Sequence, residues 1–162
     1  MSISKYFSFV IFLSSCLSAG THGSIKSYKF PVPKSLLDTA VKQVISSNKN
    51  IIRSTTKAWN DSTKNDYYND GRNYITFTIS GDVSTIEYTL QFVGTEEDWD
   101  TSKASELSIA YAWDNEGNGG SEGRGNFPWY KFKLRKKVTS LLENEFLTKI
   151  DSILGKKHRD AD

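Results

Sequence analysis

Apolar and polar residues alternate along three segments in the middle of the chain. Tyr74–Ser80, Ser84–Gly94 and Glu106–Trp113 each place an apolar side chain at every second position, which is typical of a β-strand with one buried face. Gly81 and Asp82, between the first two segments, are typical of a two-residue hairpin turn. The apolar positions of the third segment are Leu107, Ile109, Tyr111 and Trp113. The pattern predicts a three-stranded antiparallel meander with one face that other elements must cover.

Two further segments carry apolar residues at helical spacing and would supply that cover. In the first segment these residues are Leu37, Ala40, Val41, Val44 and Ile45. In the second they are Leu134, Val138, Leu141, Leu142, Phe146, Ile150, Ile153 and Leu154, and Gly155 marks the end. The start of the second segment is ambiguous, because residues 130–136 also alternate and would fit a fourth strand. We therefore predict an α+β fold of order α-β-β-β-α, in which two helices pack on one face of a sheet of three or four strands.

The N-terminus has the layout of an export signal. Lys5 precedes a mostly apolar run over residues 6–13, which is too short to cross a membrane as a helix but suits a secretory signal. The run leads into LSSC at residues 13–16, which resembles the lipobox of bacterial lipoproteins, where the signal is removed before a cysteine that receives lipid chains. The resemblance covers residues 1–16 only, and it implies a lipid attachment at Cys16.

This interpretation divides the chain into a signal peptide (1–15), the lipid-attachment cysteine and a tether (16–33), a single α+β domain (34–155) and a disordered tail (156–162). The tether would include a short edge strand at Ile25–Phe30. In proteobacterial lipoproteins an aspartate after the cysteine signals retention in the inner membrane. Leu17 stands there, so the resemblance implies the outer membrane, facing the periplasm or the cell surface. The alternative is an ordinary secretory signal cut after Ala19 or Gly20, which would release a soluble protein.

Composition and charge exclude several classes of function. The chain of 162 residues has 21 Lys and Arg residues against 19 Asp and Glu residues, and this balance lacks the basic excess of nucleic-acid-binding proteins. The two histidines are His22 in the tether and His158 in the tail, and Cys16 is the only cysteine. A Ser-His-Asp or Cys-His nucleophile and a histidine-based zinc site therefore lack their partners. We expect neither a disulfide nor a cofactor.

The Gly-rich stretch at residues 113–130, WDNEGNGGSEGRGNFPWY, is a candidate binding loop. It lacks the GxxxxGK[ST] pattern of a phosphate-binding loop. Its candidate metal ligands are Asp114, Glu116, Asn118 and Glu122. They approximate an EF-hand loop, but the position of the bidentate carboxylate falls on Gly125 and a predicted strand precedes the loop, so an EF-hand is excluded. A looser calcium site, as in a calcium-modulated adhesin-like module, stays open.

Two tryptophans flank this stretch, and a basic run begins directly after it. We expect these residues to form the rim of a surface that binds a ligand or partner. The candidate rim residues are Trp113, Trp129, Tyr130, Lys131, Lys133, Arg135 and Lys136. If the basic run starts a helix, its cations oppose the helix macrodipole. That conflict favours either a strand or a contact with anionic headgroups or an acidic partner.

Acidic residues between the second and third predicted strands are candidates for paired-carboxylate chemistry. Glu96, Asp98 and Glu106 would suit a hydrolase of a cell-wall substrate if burial raised the pKa of one of them. A charged loop between strands is usually a solvated turn, so a non-catalytic role is favoured. The sequence thus predicts an exported, lipid-anchored cell-envelope protein that binds an envelope protein or glycan. The alternatives are the carboxylate-based hydrolase and the calcium-modulated module.

Overall fold

The structure is a computed structural model that describes residues 23–54, 73–82, 84–121 and 131–161. Several predictions fall outside these residues: the signal peptide, the lipid attachment at Cys16, the candidate metal ligand Glu122, and the rim residues Trp129 and Tyr130.

Within the described residues, seven strands form one antiparallel sheet. The strands are β1 (Ser27–Phe30), β2 (Ile51–Arg53), β3 (Asn73–Ser80), β4 (Thr85–Val93), β5 (Ser105–Asp114), β6 (Gly119–Gly120) and β7 (Arg159–Asp160). Their order is β2-β3-β4-β5-β1-β7, and β6 pairs with β5 beside this path. The helices are α1 (Lys34–Ser47), α2 (Glu96–Thr101), α3 (Phe132–Leu142) and α4 (Thr148–Leu154), with a π-helical segment (Glu143–Leu147) joining the last two.

The α+β class and the antiparallel sheet are confirmed. The sheet is wider than the predicted three or four strands, because β3, β4 and β5 form the predicted meander and four short strands extend it. The described part of the segment at 130–136, residues 131–136, does not supply a fourth strand, since helix α3 begins at Phe132. The short strands have two to four residues each, too few to show a clear alternation.

The apolar core lies between the sheet and the helices. Leu37, Val41 and Val44 of α1 are fully buried, as their helical spacing predicts. The phenol of Tyr88 on β4 donates a hydrogen bond of 2.8 Å to the carbonyl of Val138 in α3, so a buried polar group of the sheet finds its partner on a helix. Burial raises the pKa of this phenol. α1 and the C-terminal helices therefore cover the same face of the sheet.

A π-helical segment keeps the apolar stripe of the C-terminal helix in phase with the core. The stripe recurs every four residues, at Val138, Leu142, Phe146, Ile150 and the partly buried Leu154. In a helix of 3.6 residues per turn, four steps of four residues would rotate the stripe by about 160°. A π-turn contains one additional residue and so rotates the apolar stripe back by about 100°. Ile153, which the sequence assigns to the stripe, is 41% exposed.

A β-bulge in β5 reverses which side chains face the helices. Ala110 is an additional residue between the positions that pair with two consecutive residues of β4. Before the bulge Leu107 and Ile109 face the core, and beyond it Ala112 does, opposite the buried Tyr88. The prediction that Tyr111 and Trp113 lie on the apolar face is therefore wrong. Both lie on the opposite face and are half-buried.

The C-terminal residues up to 161 pack on the sheet instead of forming the predicted disordered tail. The His158 ring lies 5.4 Å from the ring of Tyr28 and 5.7 Å from that of Phe30. Its Nδ1 atom is 2.9 Å from a carboxylate oxygen of Asp151. Gly155 ends α4 in the left-handed conformation (φ +62°) and reverses the chain. β7 then pairs with β1, which makes β1 an internal strand of the domain rather than an edge strand in a tether.

Candidate functional site

The first turns of α3 carry a cluster of cations with an exposed aromatic ring. We call this the basic surface: Lys131, Phe132, Lys133, Arg135, Lys136 and Lys137. Lys131 is half-buried, the other four cations are exposed, and Phe132 is 68% exposed. No described carboxylate forms a salt bridge with its lysines. The predicted residues Lys131, Lys133, Arg135 and Lys136 are thus brought together on one end of a helix.

The charge of this surface is unfavourable for the helix that carries it. Lys131 occupies the N-cap position of α3 and makes no side-chain capping hydrogen bond. The first turn contains no acidic residue, although carboxylates are the side chains that stabilise a helix N-terminus. Each exposed cation near this end costs about 0.3–1 kcal/mol at low ionic strength. Local helix stability therefore does not explain the cluster.

The chain enters the domain beside the basic surface. The guanidinium of Arg135 donates a hydrogen bond to the carbonyl of Ile25, and the hydroxyl of Ser121 donates one to the carbonyl of Gly23. Ile25 and Ile109 are also joined through a backbone hydrogen bond of 2.9 Å. The residues that follow the N-terminal 22 are therefore held next to the start of α3.

Trp113 and the turn after β5 lie at the same end of the sheet as the chain entry. Trp113 pairs with Gly119 of β6 and is half-buried, so the predicted aromatic rim residue is neither a core residue nor a fully exposed platform. The positive charge of Lys137 contributes to lowering the pKa of Asp114. Ser121 directly follows β6 and holds the carbonyl of Gly23, so this end of β5 lies near the chain entry.

The candidate metal ligands Asp114, Glu116 and Asn118 meet in one turn, where they bond to each other. A carboxylate oxygen of Asp114 accepts hydrogen bonds from the backbone amides of Glu116 (3.0 Å) and Asn118 (2.8 Å). Burial alone would raise the pKa of Asp114, but these bonds outweigh it and the net pKa is lowered. Within the described residues, no three acidic, histidine or cysteine side chains converge on a point that would hold a metal ion.

The candidate hydrolase residues lie in different elements. Glu96 and Asp98 belong to α2, which replaces the predicted loop, and both are exposed. Asp98 forms a capping box with Thr95, and hydrogen bonds from the backbone and side chain of Thr95 lower its pKa. A general acid needs the opposite shift. Glu106 lies on β5 opposite Lys29, so the three carboxylates do not form one site.

Sequence reasoning missed a second group of cations. The pairing of β1 with β7 brings Lys29 directly opposite Arg159, and Lys157 lies beside them. These residues are separated by about 130 positions in the chain, so no local pattern could reveal the cluster. Only the folding back of the C-terminal segment, which Gly155 permits, creates it.

Comparison of this chain with models of protein families, with curated proteins and with solved structures finds no significant match. None of the described helices is both long enough and apolar enough to span a membrane.

Proposed function

We propose that this is an exported, lipid-anchored cell-envelope protein that acts by binding, and that its basic surface contacts an anionic surface of the envelope. The observation that carries this proposal is the position of the chain entry at Gly23–Ile25, next to the basic surface. An anchor at Cys16 would hold that end of the domain close to the headgroups of the membrane.

The length of the connection supports this arrangement. Seven residue steps separate Cys16 from Gly23, and seven residues span at most about 25 Å when fully extended. The other end of the sheet would lie further from the bilayer. Charge interactions are screened over about 8 Å at physiological ionic strength, so the end near the chain entry is the one best positioned to use its charge at the headgroups.

The chemistry of the basic surface suits an anionic membrane. Each Lys or Arg near such a membrane contributes about 1 kcal/mol of binding free energy. Phe132 adds an exposed ring of the kind that enters the interface. Stable membrane association usually needs two signals, such as a lipid chain together with a basic patch. The basic surface would thus support the anchor, and an envelope protein or glycan that used it instead would have to be acidic.

Substitution of the proposed anchor tests the first part of the proposal. We expect Cys16→Ala to move the protein from the membrane fraction to the soluble fraction and to abolish incorporation of labelled palmitate, because no other cysteine can accept the lipid. Ser18→Ala, which leaves residues 13–16 unchanged, should behave as the natural protein. An unchanged membrane fraction for Cys16→Ala would contradict the lipoprotein assignment.

Removal of charge from α3 tests the second part. In full-length protein that also carries Cys16→Ala, the triple change Lys133→Gln, Lys136→Gln and Lys137→Gln should weaken binding to phosphatidylglycerol vesicles about 100-fold, at about 1 kcal/mol per cation. Cosedimentation with vesicles measures the change. Phosphatidylcholine vesicles should bind both proteins weakly.

A matched control removes the same charge elsewhere. Lys49, Arg53 and Lys103 are exposed and lie outside α3, and changing all three to Gln lowers the net charge equally. This variant should bind phosphatidylglycerol vesicles nearly as well as the parent protein. Equal losses in the two triple variants would show that net charge, rather than the basic surface, governs binding.

A further inference from the structure

A small pocket opens at the opposite end of the sheet from the basic surface. It lies where β1 ends, next to the residue that precedes β5, and has a volume of about 370 Å³. Its described lining residues are Lys29, Phe30, Pro31, Ala104, Lys157 and Arg159. Three of these side chains are cations and none is an acid. We call this site the basic pocket.

Within the described residues, the cations of the basic pocket form no salt bridge. Lys29 stands directly opposite Arg159 in the β1–β7 pair, an arrangement of like charges that destabilises a strand pair. Glu106 is the cross-strand neighbour of Lys29 on the other side, yet the two form no salt bridge. Lys157 and Arg159 likewise form no ion pair with any residue that the structure describes. The Lys29–Arg159 pair therefore contributes repulsion, whereas a structural role would need attraction.

The adjacent position of the same strand pair provides a direct contrast. There Asp160 lies opposite Tyr28, and the ammonium of Lys26 contacts Asp160 at 3.0 Å and Glu143 at 2.8 Å. Burial would lower the pKa of Lys26, but these contacts outweigh burial and raise it. On this side of the strand pair the charges are matched, and on the side of the basic pocket they are not.

The backbone around the basic pocket is held in place without help from its cations. The backbone amide of His158, between Lys157 and Arg159, donates a hydrogen bond of 2.9 Å to the Asp151 carboxylate. The amide of Ala161 donates one of 2.9 Å to the carbonyl of Ser27. Lys157 and Arg159 both line the pocket, whereas the His158 ring between them packs on Tyr28. The backbone that carries these cations is thus held in place before any ligand arrives.

We propose that the basic pocket binds a phosphate group. An Arg guanidinium offers a planar pair of donors that matches phosphate oxygens, and two Lys ammonium groups add point charges. A phosphate monoester carries a charge of about −1.5 to −2 at pH 7, which suits three clustered cations better than a single carboxylate does. Phe30, Pro31 and Ala104 supply apolar surface for the group that bears the phosphate.

The position of the basic pocket limits where its ligand comes from. β5 runs from Ser105, one residue after the lining Ala104, to Asp114, at the end of the sheet where β6 pairs with β5 and Ser121 holds the chain entry. Nine residue steps of about 3.3 Å separate these ends by about 30 Å. If the basic surface faces the bilayer as proposed above, the basic pocket is turned away from that bilayer. Phosphate binding itself does not depend on that orientation.

Binding of inorganic phosphate to the purified full-length protein tests this proposal. Phosphate should raise the Tm at constant ionic strength, because a ligand that binds only the folded state stabilises it; sodium chloride at equal ionic strength should not. Arg159→Gln and Lys157→Gln should each weaken phosphate binding at least about 10-fold, since each removes a charge-assisted hydrogen bond. Titration calorimetry measures the affinity. Lys103→Gln, which removes an exposed charge beside the lining Ala104, should leave the affinity unchanged.

The Tm without phosphate separates a binding site from a structural one. Arg159→Gln relieves the repulsion with Lys29, so its Tm without phosphate should equal or exceed that of the natural protein while the phosphate effect is lost. A natural protein whose Tm and calorimetric heats do not respond to phosphate would overturn the proposal. So would an Arg159→Gln or Lys157→Gln protein that keeps the full response.

Two competitors distinguish the sources of the phosphate group. Competition by soluble glycerol 3-phosphate would indicate a free phosphate monoester, and competition only by phosphatidic acid vesicles would indicate a lipid headgroup. Arg159→Gln should not alter binding to phosphatidylglycerol vesicles, which measures the basic surface. Failure of one proposal is therefore visible independently of the other.

Discussion

Phe146→Ala should lower the free energy of unfolding by about 4 kcal/mol, within the range of about 3–5 kcal/mol seen when a buried Phe is truncated. Phe146 is fully buried in the π-helical segment, and its ring stacks on that of Phe77 in β3 with a centroid distance of 4.5 Å. The truncation removes one of the contacts that join the C-terminal helices to the middle of the sheet. Denaturation in urea, followed by far-UV circular dichroism, measures the change.

Phe132→Ala is the matched control, because Phe132 belongs to the same C-terminal helical run and is 68% exposed. Its effect should stay within about 0.5 kcal/mol. A double-mutant cycle with Phe77→Ala should give a coupling of about 0.5–1.5 kcal/mol, as expected for an aromatic pair in contact. Equal effects of Phe146→Ala and Phe132→Ala would show that the π-helical segment does not hold its aromatic residue in the core.

The parts of the fold that follow from local pattern could be read from the sequence. The alternation in β3 and β4 identifies the buried Ile75, Phe77 and Ile79 on one strand and their partners on the next. The helical spacing in α1 does the same. In these segments each residue's environment depends on a regular period, so a period in the sequence is sufficient information.

The irregular features could not be read in this way, because each one interrupts a period. The additional Ala110 in β5 moves Trp113 to the other face, and the π-helical segment shifts the phase of the last apolar stripe. Each insertion interrupts the regular backbone geometry of its strand or helix and is stabilised by contacts with the rest of the fold. A sequence pattern contains the residues but not the contacts that decide where the period breaks.

The candidate functional residues also divide into a group that the sequence shows and a group that only the fold brings together. The basic run from Lys131 to Lys137 is visible in the sequence, and the structure gathers it at the start of one helix. The basic pocket depends on the packing of His158 between Tyr28 and Phe30, residues far away in the chain. A lone histidine in a polar C-terminal segment resembles a disordered tail in the sequence, and only its tertiary contacts give it a structural role.

Gly119→Ala should destabilise the protein by about 3 kcal/mol, near the upper end of the effects of overpacking. A Cβ atom on Gly119 would lie 2.0 Å from the carbonyl oxygen of Ala112 and 2.8 Å from the Cα of Trp113. Both are backbone atoms of β5, so no side-chain rotation can relieve the clash. β6 would have to separate from β5. Hydrogen exchange at the paired amides and urea denaturation measure the loss.

Gly117→Ala provides the comparison for this effect. Gly117 has φ +80°, and beyond its chain neighbours no described atom lies within 4 Å of an added Cβ, so its substitution costs only the strain of a left-handed backbone, about 1 kcal/mol. A loss for Gly119→Ala no larger than that for Gly117→Ala would contradict the close packing of β6 on β5.

If β6 does separate, Ser121 should also lose its hydrogen bond to the carbonyl of Gly23. The chain entry would then loosen beside the basic surface, and hydrogen exchange at the backbone amide of Ile25 should become faster in Gly119→Ala.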